Sequence, residues 1–142
     1  MECGKSTFLR GLARGIVEGN DPAAARIILV DFRRSLLGAV ESEHLIGYGT
    51  SPQVTADLVK QVATVMGERL PGRDVTAEQL RDRSWWKGPE LYLLVDDYDL
   101  VAGAAVNPLA PLLEYLPQAR DIGLHLVLTR RIGGAGRACS TR

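Results

Sequence analysis

The chain has 142 residues, 46% of them hydrophobic and 24% charged, which suits one globular domain with a core of its own. Its 17 Lys and Arg balance 17 Asp and Glu, so no overall basic field draws it to nucleic acid or to an anionic membrane. No stretch approaches the roughly 20 apolar residues that span a bilayer, the N-terminus carries no basic-then-apolar leader, and Cys3 and Cys139 have no metal-ligand spacing around them; a soluble, cytoplasmic domain with reduced thiols is expected.

In chain order, apolar residues recur at helical spacing from Ser6 to about Glu18 (Phe8, Leu9, Leu12, Ile16, Val17), and Gly19, Asn20 and Pro22 then stop the helix. Arg26 to Phe32, "RIILVDF", is an unbroken apolar run ending in an acid, as in a strand covered on both faces. "RRSLLGAV" reads as a short helix or turn and "HLIGYGTS" as a brief edge strand or loop. A helix follows with Ser51 as its cap and Pro52 at its first position, burying Leu58, Val59, Val62, Val65 and Met66. The polar connector after it contains a short helical stretch near Thr76.

Leu91 to Val101, "LYLLVDDYDLV", carries the strongest strand signal, with two adjacent aspartates after its apolar run. A helix opened by Asn107-Pro108 is expected next, regular only beyond Pro111, with Leu109, Leu112, Leu113 and Leu116 on its face. Leu124 to Arg131 is a further buried strand, and a Gly-rich tail closes the chain. Strands alternating with helices imply an α/β fold with a parallel sheet.

Two motifs carry chemistry. Gly4-Lys5-Ser6-Thr7 is the end of a phosphate-binding loop, in which backbone N–H groups and a helix N-terminus surround an anion, Lys meets the outer phosphates and Ser holds Mg²⁺. Here Gly4 allows close approach, Lys5 takes the β/γ contact, Ser6 the metal and Thr7 a further phosphate; an ordinary capped helix start is the other reading of those four residues. Asp96, at the tip of a hydrocarbon strand, suits the Mg²⁺-side acid of a P-loop enzyme, and Asp97 falls where such ATPases often place a glutamate that polarises water. A solvated Asp-Asp turn is the alternative, and aspartate is one methylene shorter than glutamate.

Thr129, at the end of the next strand, is either a sensor of the γ-phosphate or a hydroxyl bonded to nearby backbone. Arg33, Arg34, Arg130 and Arg131 follow strands; each either reaches a nucleotide, in cis or across a subunit boundary, or is solvated or ion-paired. His44 and His125 fit core or strand-end roles. Trp85 and Trp86 pack a loop onto the domain or offer an apolar docking surface to a partner.

Taken together, "GKSTFLRGLARGI", "ARIILVDFRRSLLG", "SWWKGPELYLLVDDYDLV" and "ARDIGLHLVLTRRIGGAGRA" resemble the FtsK/SpoIIIE-type ATPases, and within them the last ATPase module of the EccC proteins of type VII (ESX) secretion. The resemblance implies a RecA-like, additional-strand P-loop NTPase: a three-layer α/β sandwich with a mostly parallel sheet, here lacking the first strand, so that residues 1–142 form a single partial FtsK-like ATPase domain, truncated at both ends. Loss of that strand is expected to leave two neighbouring strands with unpaired edges.

It also implies ATP with Mg²⁺ as cofactors, exported small helical proteins as partners, and other modules or subunits of a secretion ATPase, with a hexameric assembly left open. The setting implied is the cytoplasmic side of an inner-membrane complex. Two functional alternatives accompany it: a module that docks a substrate's signal with little hydrolysis, and an FtsK-like DNA translocase, which neutral charge disfavours.

Overall fold

The computed structural model describes the backbone of residues 5–103, 107–130 and 140–141, and the side chains of 7–103 and 107–130. Its elements in chain order are α1 (Lys5–Gly19), β1 (Ala25–Val30), β2 (Leu45–Gly49), α2 (Pro52–Arg69), α3 (Ala77–Asp82), β3 (Glu90–Val95), α4 (Tyr98–Ala102), α5 (Ala110–Leu113), β4 (Leu124–Arg130) and β5 (Ser140–Thr141). The strands form one sheet in the order β2-β1-β3-β4-β5, parallel except for the last pair.

Alternation along the strands sends side chains to both faces, and both are covered. Ile27, Leu29 and Leu94 pack with Leu9, Ala13 and Ile16 of α1 on one side. Ile28, Val30, Leu93 and Val95 pack with Val59, Val62 and Met66 of α2, and with Val101 and Leu112, on the other. The result is the three-layer α/β sandwich expected from the sequence. The four parallel strands form an unbroken ladder, with Val30 beside Val95 and Val95 beside Leu128, so the expected gap between neighbouring strands is not found in the described sheet. The acid-tipped β3 is itself the bridge between β1 and β4.

Local chemistry fixes several boundaries. Ser51 caps α2, its hydroxyl accepting from the Val54 N–H with Pro52 next in line. Thr76 and Gln79 close a reciprocal capping box on α3. Two expectations need correction. The strand signal running to Val101 ends at Val95, because Asp97 takes a left-handed conformation (φ 57°) and turns the chain into α4. The helix expected to be regular only beyond Pro111 instead begins at Ala110, with Pro111 in its first turn, and lasts four residues; Pro117 rules out its continuation, and a 3₁₀ turn, Leu116–Gln118, follows. Leu113 and Leu116 are therefore 41% and 37% exposed, while Leu109 and Leu112 are buried as expected. On α2, Leu58 and Val65 lie half-buried at the margin of the face that Val59, Val62 and Met66 bury.

The N-terminal edge of the sheet is tied by Arg69, a buried residue at the end of α2. Its guanidinium donates to the carbonyls of Ile122 (3.1 Å) and Pro89 (2.9 Å), just before β4 and β3, and lies 4.1 Å from the centre of the Trp86 ring. Burial lowers its pKa. Gly123 makes room for this arrangement, with φ at 75° and Trp86 Cη2 2.6 Å from where a Cβ would stand.

Candidate nucleotide site

Helix α1 runs against the strand direction. Arg10, in its early turns, donates to the Ser35 carbonyl (2.7 Å) beyond the end of β1, whereas the Asn20 carbonyl, just past its other end, accepts from His44 Nε2 (2.6 Å) before β2 begins. Its N-terminus is thus at the carboxyl edge of the sheet, where parallel α/β proteins hold ligands. Lys5 opens this helix, Ser6 follows, and Thr7 is exposed in the first turn. Gly4 lies outside the described residues, as do the side chains of Lys5 and Ser6 and all of Cys3, Arg131 and Cys139.

At the same edge the ladder steps past the strands. The Asp31 N–H donates to Gly49 O (2.8 Å) and the Asp96 N–H to Val30 O (2.9 Å). At the next position a side chain replaces the backbone: the Asp97 N–H donates to the Thr129 hydroxyl (3.0 Å), which in turn donates to Asp96 Oδ1 (3.4 Å). One buried hydroxyl therefore joins both acids. Asp96 is 1% exposed and Asp97 5%.

Arg33 faces both carboxylates, with Nη2 3.7 Å from Asp96 Oδ2 and Nε 3.8 Å from Asp97 Oδ2. Arg34 shapes the turn instead, at φ 60°. Arg130 forms an exposed pair with Asp99 (3.2 Å).

Three residues not singled out from the sequence complete the cluster. Asp31 is fully buried and accepts from the Ser35 N–H (3.0 Å), the Leu36 N–H and the Tyr48 hydroxyl (2.8 Å). The Ser35 hydroxyl lies 2.9 Å from Asp96 Oδ2. Desolvation, then the hydrogen bond to Asp31 and its charge, pushes the Tyr48 phenol up to about 12. The available signal was positional: Asp31 follows β1 as Asp96 follows β3, in matching register.

Mg²⁺ keeps several waters and binds through one or two carboxylates together with phosphates, without an all-protein cage. Asp96 fits that habit as one such carboxylate: it is buried at the end of a rigid strand, accepts from the Ser35 and Thr129 hydroxyls, and faces Arg33 across 3.7 Å.

The histidines and tryptophans take local roles. His125 bonds Glu90 (2.7 Å) and stacks on Tyr92 at the opposite edge, and His44 bonds Ser42 (2.8 Å) as well as Asn20. The Trp85 and Trp86 indoles donate to the carbonyls of Arg69 (2.7 Å) and Asp121 (2.8 Å). Both tryptophans thus pack their loop onto the domain.

No protein-family model matches the chain. Over 137 residues it is 55% identical to the ESX secretion system protein EccC of Thermomonospora curvata, covering 96% of this chain and 10% of that protein. It is 53% identical to the ESX-4 secretion system protein EccC4 of Mycobacterium tuberculosis, covering 96% and 11%. A solved structure of Thermomonospora curvata EccC, ATPases 2 and 3 in complex with a signal sequence peptide, superposes with a TM-score of 0.90 at 54% identity, covering 96% of this chain and 24% of that one. The chain spans about a tenth of the length of these two curated relatives. The resemblance read from the motifs holds along nearly all of it.

Proposed function

With EccC ATPase modules as its relatives, we propose that the chain is a nucleotide-binding part of a type VII secretion ATPase, which drives or gates export of small helical proteins from the cytoplasmic side of a membrane complex. The observation that carries this reading is the Thr129 hydroxyl joined to both Asp96 and Asp97 at the carboxyl edge where α1 begins.

In this proposal Gly4, Lys5, Ser6 and Thr7 cradle the phosphates of ATP, while Ser6 and Asp96 hold Mg²⁺. The metal, when bound, neutralises charge on the transferring phosphoryl group. Asp97 orients the attacking water, and Thr129 keeps the two acids in register with the γ-phosphate. The left-handed turn at Asp97 directs its short side chain, and the methylene it lacks relative to glutamate fits binding with slow hydrolysis.

Equilibrium titration of the full chain with Mg-ATP tests the reading. Wild type is expected to bind, and Lys5→Ala or Asp96→Asn to lose at least about tenfold in affinity, as expected when a contact to a charged phosphate or metal is removed. Equal affinity for all three would sink it.

A second reading, signal docking with little use of nucleotide, is favoured by the peptide held in the Thermomonospora curvata complex. Signal-peptide binding that survives Lys5→Ala, in a chain without affinity for Mg-ATP, is its expected signature.

A further inference from the structure

We infer that Ser35 is a positioning residue for the Mg²⁺-side carboxylate, holding Asp96 Oδ2 away from Arg33. The inference rests on the nucleotide reading above and adds to it a residue outside both phosphate-site motifs.

A serine hydroxyl has one proton to give. Ser35 Oγ lies 2.9 Å from Asp96 Oδ2 and 3.4 Å from Asp31 Oδ1. Asp31 already accepts from two backbone N–H groups and the Tyr48 phenol, so the Ser35 proton is directed to the nearer oxygen, on Asp96. The division of labour is then plain. Asp31 fixes the backbone of the turn through the Ser35 and Leu36 N–H groups, and that turn carries the Ser35 side chain from the end of β1 to the acid at the end of the neighbouring β3.

The competing partner for the same oxygen is Arg33, whose Nη2 stands 3.7 Å from Asp96 Oδ2. A carboxylate held at Oδ1 by Thr129 alone, over 3.4 Å, has freedom to rotate toward that guanidinium. Rotation of this kind draws Asp96 toward a fixed cation and costs affinity for a mobile one. Groups one step removed from a metal typically contribute about 10- to 100-fold to its affinity by orienting the ligand.

The test is a Mg²⁺ titration of the full chain at a fixed concentration of a fluorescent ATP analogue, read by anisotropy, beside thermal unfolding of each variant. Ser35→Ala is expected to raise the Mg²⁺ concentration at half-saturation about tenfold, with metal-free binding of the analogue unchanged. Ser35→Thr, which restores the hydroxyl, is expected to return it close to wild type.

Should Ser35→Ala fail to fold, Ser35→Cys keeps the backbone donors to Asp31 and the side-chain shape but replaces the hydroxyl with a weak donor. A Mg²⁺ midpoint unchanged in Ser35→Ala or Ser35→Cys, while Asp96→Asn shifts it, overturns the role of Ser35 and leaves the nucleotide reading standing. A wild type without Mg²⁺-dependent binding overturns both.

Discussion

Tyr48 shows how one buried acid reaches outward through its neighbours. Its phenol donates to Asp31, and its pKa lies at about 12 in the fold against 10.0 for the free side chain. A group whose pKa is raised by folding stabilises fully below the unfolded value, and that contribution is lost as pH climbs toward the folded one. Stability is therefore expected to fall between about pH 10 and pH 12. Tyr92, raised in the same direction chiefly by desolvation, adds to the slope. Urea denaturation across this range should show a shallower fall for Tyr48→Phe than for wild type, and an identical slope would remove the bond to Asp31 from the account. At this scale the acids Asp96 and Asp97 were legible from the strand pattern alone. The companionship of Asp31, Ser35 and Arg33 was not, because it depends on how a left-handed turn at Arg34 folds five residues back across the end of β3.

Among the elements, α2 was read most fully, since its cap, its first-turn proline and its apolar spacing all agree. Thr55 is its exception: it is fully buried, and its hydroxyl alone among the described buried side-chain polar atoms has no hydrogen-bond partner. An unpaired buried hydroxyl costs about 1–3 kcal/mol. Thr55→Val, of similar shape, is accordingly expected to leave stability unchanged or raise it by about 1 kcal/mol, as measured by chemical denaturation; a loss above that size would reveal a partner for the hydroxyl. The segment after Asn107 was read least well, and the reason is local. Leucines spaced for a helix were counted, but with Pro111 in the first turn and Pro117 beyond it only one regular turn, Ala110–Leu113, is built, and Leu113 and Leu116 face outward. Periodicity records which residues a helix would bury, not whether its backbone can be built.

For the whole molecule, alternating strands and helices sufficed for an α/β fold with a parallel sheet and the family resemblance added its three layers, whereas strand order did not follow from the pattern. The placement of β3 between β1 and β4 is a matter of pairing register, which no single strand announces. Arg69 belongs to this scale because it ties α2 to the starts of two strands and to Trp86. Arg69→Lys keeps the charge but loses the fork that reaches two carbonyls at once. The expected cost is about 1.5–3 kcal/mol, the range for hydrogen bonds to a charged group, visible as a lower unfolding temperature. A wild-type temperature would show that the fork is dispensable.

The Arg69 tie stands at one edge of the sheet and the paired acids at the other, with the length of the strands between them. Mutational tolerance should divide along the same axis. Changes near Arg69, Trp86 and Gly123 would surface chiefly as lost abundance in the cell, and changes of the Asp96 and Ser35 side chains chiefly as lost Mg-ATP binding, under the function proposed above. A library scored separately for protein level and for nucleotide binding would sort the chain by position along its strands, and variation could then accumulate at one edge without being felt at the other.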